Sequence, residues 1–145
     1  MSKPSPTTRA DYAHFLPIST RWSDNDVYGH INNVVYYSYF DTVVNEYLLR
    51  AGVLDFSEGE TIGLVVETRC NFFAPVVFPE PIEAGLRVER LGNTSVRYEV
   101  AIFTQGSEEA AAQGHFVHVY VDRVTRRPVP LPAPLVDALQ PLITG

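Results

Sequence analysis

The chemistry-bearing residues of this chain crowd into ten positions, Asp24 to Asn33, reading DNDVYGHINN. Two carboxylates, one imidazole, three carboxamides and a glycine fall there, between a segment that reads as the end of a strand and an apolar segment that reads as a helix. A strand–loop–helix junction leaves N–H groups unpaired at the helix start and turns the positive end of the helix dipole toward the loop. Asp26 lies just upstream, so one short segment can hold a carboxylate beside an anion-stabilising cluster of amides. Asp and Asn also serve in loops as turn and cap residues that bond their own backbone. Composition alone leaves both roles open for Asp26.

Other reactive side chains carry less. His115 and His118 are three apart in a strand-like run, so they face opposite sides and cannot share a metal ion. Cys70 sits in the apolar phase of an alternating stretch with no neighbouring histidine, which favours inert packing. No Gly-x-Ser-x-Gly elbow, P-loop or Gly-x-Gly-x-x-Gly is present. No metal site is expected.

The elements that must position the junction can be read on either side of it. His14 to Trp22 reads as a strand, with Pro17 pointing to a sheet edge. The helix is expected from Val34 to Ala51. Tyr36, Phe40, Val43, Val44, Tyr47, Leu48 and Ala51 share one side, while Ser38, Asp41, Thr42, Asn45, Glu46 and Arg50 share the other. Asn32 or Asn33 can cap its start, and Gly52 suits a left-handed terminator. Valine pairs and clustered aromatics are weak helix formers, so packing must hold this helix. Four further strands follow. Leu64 to Phe72 alternates, with Leu64, Val66, Thr68, Cys70 and Phe72 expected on one face. Ile82 to Leu91 and Thr94 to Phe103 flank the tight-turn pair Gly92-Asn93, and Ala110 to Val121 comes last. Leu135 to Leu139 reads as a short final helix. Between the long helix and its next strand, Leu54 to Gly63 is expected to be a mobile loop.

A lone long helix needs a sheet to cover it, and one five-stranded antiparallel sheet can curl round it. The expectation is an α+β protein: residues 1–10 a flexible tail, rich in Ser, Thr and Pro, and residues 11–145 a single domain. A sheet this small leaves edge strands open, which points to a homodimer or homotetramer. The net charge of −6 argues against a nucleic-acid surface. No run approaches the roughly 18 apolar residues of a membrane span. Met1 to Arg9 lacks the apolar core of a secretory signal, and a single cysteine suits a reducing compartment, so a cytoplasmic protein is expected.

Asp24-Asn25-Asp26-Val27-Tyr28-Gly29 followed by Asn32-Asn33 resembles the junction of the hotdog-fold acyl-CoA thioesterases, in their 4-hydroxybenzoyl-CoA thioesterase-like branch. Position near the N-terminus, element order and the closing stretch from Tyr120 to Pro132 agree with that resemblance. It implies the hotdog fold and hydrolysis of an acyl-CoA thioester, with coenzyme A as part of the substrate and no separate cofactor. It assigns Asp26 as general base or direct nucleophile. Tyr28, Gly29 and Asn33 are expected to bind substrate, with the N–H of Gly29, His30 or a neighbour stabilising the oxyanion. His30 either bonds the thioester, orients Asp26 or packs at the helix start. Asp24 is expected to pair structurally with Arg21. Glu46 or Asp41 is the fallback carboxylate, because another hotdog branch works from the helix. His30-Ile31-Asn32-Asn33 is similar to the motif of plant acyl-carrier-protein thioesterases, although Tyr28 stands where that motif has asparagine. A carrier-protein thioesterase and a non-catalytic acyl-CoA binding protein are therefore the alternatives.

Overall fold

The computed structural model describes residues 4–55 and 58–143. Five strands form one antiparallel sheet: β1 (His14–Ile18), β2 (Thr61–Phe72), β3 (Ile82–Leu91), β4 (Ser95–Thr104) and β5 (Ala112–Asp122). The strand order is β1-β3-β4-β5-β2. Helix α1 (Asn33–Arg50) lies across one face, and the short α2 (Ala133–Leu139) closes the same core. This is the hotdog architecture, a sheet curled round one long helix.

The sheet wraps the helix because each central strand alternates. Ile82, Ala84, Leu86 and Val88 of β3 join Val96, Tyr98, Val100 and Ile102 of β4 against the helix. From α1, Tyr36, Tyr39, Phe40, Val43, Val44 and Leu48 meet them, each 6 % exposed or less. Fully burying such a side chain contributes roughly 1.5–3 kcal/mol, which offsets the weak helix propensity of the valines and aromatics. Ala51, expected on this face, is exposed, and Tyr39, not expected there, is buried. The helix ends at Gly52, whose φ of +74° lets its N–H reach the carbonyl of Leu49 while that of Val53 reaches Leu48. Pro17 sits on β1, an edge strand, where its missing N–H interrupts no inner ladder.

Strand β2 departs from the simple alternation. Its register against β5 shifts between Val65 and Glu67. Gly63 and Val65 pair with Tyr120 and His118, and beyond the bulge Thr68, Cys70 and Phe72 pair with Phe116, Gly114 and Ala112. Leu64 therefore turns away from the helix, and Val65 turns toward it. One extra residue at Val66 reverses the phase, which a pattern of period two cannot foresee.

Of the stretch expected to be a loose tail, Thr7 and Arg9 are held. The Thr7 N–H donates to Gln113 at 2.6 Å, and the Arg9 guanidinium reaches Glu83 at 2.7 Å. Tyr12, Phe15, Ala101, Phe103 and Ala110 form a second apolar cluster on the far face of the sheet. Within the loop expected at Leu54 to Gly63, Phe56 and Ser57 lie outside the described residues, and Thr61 to Gly63 belong to β2. No helix among the described residues is long and apolar enough to cross a membrane.

Candidate active site

The junction is built around Asp24, which is 1 % exposed. Its carboxylate accepts from the Arg21 N–H at 2.9 Å, the Arg21 guanidinium at 3.0 and 3.1 Å, and the Tyr39 hydroxyl at 2.7 Å. Burial alone would push this carboxyl up, but the bonds from Tyr39 and Arg21 outweigh it and hold it below the usual carboxylate range. Asp24 thus pairs with Arg21 as expected. It also locks the loop to the helix, because its carbonyl accepts the Asn32 N–H at 2.9 Å.

The loop closes on itself like a short hairpin. The Asp26 N–H donates to the His30 carbonyl at 2.9 Å, and Asn25 and Ile31 form an antiparallel bridge. The turn passes through Gly29, whose φ of +86° is the left-handed conformation that glycine adopts without strain. The Ile31 N–H donates to Val76 at 2.7 Å, and the Asn25 side chain accepts from the Phe78 N–H at 3.2 Å. The segment after β2 is thereby tied against the junction.

Asn32 caps α1: its side-chain oxygen accepts the Val34 N–H at 3.0 Å. Asn33 is then the first helical residue. Among the described residues, the N–H groups of His30 and Asn33 have no hydrogen-bond partner, whereas that of Gly29 donates to the Asp26 carbonyl at 3.1 Å. Asp26 Oδ1 accepts the Tyr28 N–H at 2.8 Å, the turn geometry that aspartate adopts in loops, and Oδ2 has no partner among the described residues.

A pocket of about 380 Å³ opens at this end of α1. His30 and Asn33 line it with Ile31, Tyr36, Phe72, Phe73, Ala74 and Pro75. Of the five residues singled out from the sequence, His30 and Asn33 stand in this wall, and Asp26, Tyr28 and Gly29 do not. The link between Asp26 and the wall is the backbone bond to His30. Tyr28 is 82 % exposed. Tyr36 stacks edge-on against Phe72 at 5.0 Å, and burial pushes its phenol up to about 12. Phe73, Ala74 and Pro75 come from a connection with no chemical signature in the sequence; only the fold brings them here.

Neither fallback carboxylate lines this pocket. Glu46 is held by Arg50 at 2.5 Å and by His14 at 3.3 Å, and Asp41 is exposed. Burial pushes the Cys70 thiol up to about 12, so it stays protonated and unreactive near neutrality. No cluster of metal-binding side chains occurs among the described residues. On the outer face, Arg87 pairs with Glu99 at 2.6 Å and Arg97 with Glu89 at 2.5 Å.

The sheet curled round α1, with a pocket at the helix N-terminus, defines a hotdog protein. Residues 20–139 match the model of the thioesterase-like superfamily, and the chain belongs to that family. It is similar to the PA5185 protein of Pseudomonas aeruginosa strain PAO1, at 58 % identity and a TM-score of 0.93, covering 98 % of this chain and 99 % of that one. A thioesterase from Thermus thermophilus, solved complexed with coenzyme A and Zn, is 27 % identical with a TM-score of 0.75, covering 91 % of this chain and 95 % of that one. An uncharacterised Bacillus subtilis protein, YsmA, is 24 % identical over 88 residues, which cover 61 % of this chain and 59 % of that protein.

Proposed function

We propose that this protein is an acyl-CoA thioesterase that hydrolyses the thioester to free acid and coenzyme A. The observation that carries this reading is that His30 and Asn33, whose N–H groups have no hydrogen-bond partner among the described residues, line one pocket where the loop enters α1. Such donors favour the oxygen that gains charge as a thioester is attacked, and losing one typically costs roughly 2.7–4 kcal/mol of barrier. Asp26, with Oδ2 uncommitted, is the base that activates water or the nucleophile that attacks directly. His30 stands in the same wall, with its ring Nδ1 3.5 Å from the Ile31 carbonyl. Tyr28, Gly29 and Asn33 serve substrate binding in this reading, Gly29 by shaping the turn. The apolar walls from Tyr36 and Phe72 suit the acyl group next to the carbonyl.

Coenzyme A as the substrate's carrier is supported by the Thermus relative, which holds it. The reaction as written needs no metal or cofactor. The working form is a homodimer, or a homotetramer built from it, in the cytoplasm. Strand β2 is a free edge with Val65, Val66 and Phe72 each about half exposed, and a second copy adding its own β2 would continue the sheet.

The test is a panel of acyl-CoAs of graded chain length, assayed with a thiol reagent. Turnover is expected, with kcat of Asp26→Asn at least about a hundredfold lower. An Asp26→Asn enzyme as active as wild type removes Asp26 from the mechanism. The same acyl group offered on a carrier protein separates the two thioesterase classes, and saturable binding without thiol release indicates the non-catalytic alternative.

A further inference from the structure

Buried tyrosine hydroxyls find hydrogen-bond acceptors as a rule, and most in this chain do. Tyr12 pairs with the Thr7 hydroxyl at 2.9 Å, Tyr39 donates to Asp24 at 2.7 Å, and Tyr98 and Tyr120 bond each other at 2.8 Å. Tyr36 is the exception. It is 2 % exposed, yet its hydroxyl donates to no group among the described residues.

This one exception lines the reaction pocket, together with His30 and Asn33. Tyr36 stands three residues after Asn33, on the same face of α1 and one turn along. Long side chains on a helix lean back toward its N-terminus, so the phenol lies over the turn that carries the unpaired amides.

The ring is also held in place. It lies edge-on to Phe72 at 5.0 Å and to Tyr39 at 6.1 Å. The Val76 N–H faces the phenol oxygen, and the Val76 carbonyl accepts the Ile31 N–H at 2.7 Å. One residue thereby registers the hydroxyl against the junction loop. Burial pushes the phenol up to about 12, so near neutrality the proton stays on its oxygen. A phenylalanine would fill the same space in the core, so packing alone does not call for the hydroxyl.

We propose that the Tyr36 hydroxyl is a third donor to the thioester oxygen, beside the His30 and Asn33 amides, and hence a catalytic residue. The assignment rests on the acyl-CoA reading above. As the nucleophile adds to the carbonyl carbon, the π electrons of the C=O bond move onto oxygen, where the phenol O–H meets them. They return as the C–S bond breaks and its electron pair leaves on the sulfur of coenzyme A. The phenol keeps its proton throughout, so its task is to stabilise charge.

Tyr36→Phe deletes one oxygen and keeps the ring against Phe72. On the acyl-CoA that wild type turns over fastest, kcat should fall by about a hundredfold with KM within about twofold, because the bond strengthens only as charge reaches the oxygen. A kcat within about threefold of wild type, or a loss confined to KM, overturns the assignment and leaves the hydrolase reading standing. A second measurement needs no turnover and is blind to small changes in packing. Asp26→Asn protein, with and without Tyr36→Phe, is loaded with hexanoyl-CoA or benzoyl-CoA carrying ¹³C at the thioester carbonyl, and the carbonyl stretch is read by infrared difference spectroscopy. Donor bonds draw that stretch to lower frequency, and Tyr36→Phe should reverse part of the displacement. A Tyr36-dependent displacement supports the assignment even if wild type hydrolyses no thioester, in which case only the hydrolase reading fails. A carbonyl stretch identical in the two proteins, or no binding of either thioester, overturns the assignment.

Discussion

Replacing Tyr39 by phenylalanine tests the foundation of the junction. The Asp24 carboxylate is 1 % exposed, and Tyr39 reaches it from the core at 2.7 Å. The other side-chain donor, Arg21, is 73 % exposed, so solvent screens its charge and it cannot make up the loss. A hydrogen bond to a charged group contributes roughly 1.5–3 kcal/mol, and the phenyl ring preserves the packing. The expected loss is about 2 kcal/mol, or a Tm lower by about 4–8 °C for a chain of this size. Urea unfolding at pH 7 should show a lower midpoint with an unchanged slope. In an Asp24→Asn background the same change should cost less than half as much, because the charge is gone. The pH dependence follows the same logic. The Asp24 carboxyl lies below its ordinary value in the folded state, so its contribution is present above about pH 3.9, the unfolded value, and is lost as pH falls through the folded one. The cost of Tyr39→Phe should shrink at that acid end. A Tyr39→Phe protein that unfolds at the wild-type midpoint would refute the account, as would a cost that is equally large once Asp24 has been replaced by asparagine.

Three further outcomes are expected. His118, held by burial at about 4 in the fold against about 6.5 when unfolded, should make the protein lose up to about 3 kcal/mol as pH drops from 6.5 to 4, since the unfolded chain binds the extra proton; His118→Phe should flatten that slope in urea titrations. The Cys70 thiol, raised to about 12, should react with a disulfide reagent at pH 8 far more slowly than a free thiol, and labelling at the free-thiol rate would contradict its burial. Gly52→Ala adds no clash, because nothing lies within 4 Å of the new Cβ, yet φ is +74°, so stability should fall by about 1–2 kcal/mol in thermal unfolding.

Much of the architecture was legible from local patterns. The alternation of Ile82–Val88 and Val96–Ile102, the helical stripe from Tyr36 to Leu48, and Gly52 as terminator each report a periodicity or a backbone preference. The Asp24–Arg21 pair, three residues apart, was equally local. Four features depended on the assembled fold. The bulge at Val66 reversed the phase of β2, since an extra residue is visible only against its partner strand. Tyr39 turned inward to meet a buried charge. Phe73, Ala74 and Pro75 joined the pocket wall because Val76 accepts a bond from Ile31 more than forty residues earlier. The rings of His118 and Tyr120 fit because Gly63, a neighbour only across the sheet, has no side chain. Sequence by itself determined what repeats along the chain, the strands, the helix and the turn that joins them, because those depend on side-chain spacing and backbone freedom. The tertiary structure decided which amides stay unpaired, which groups lose water and which walls meet, because those depend on contacts between segments far apart in the chain.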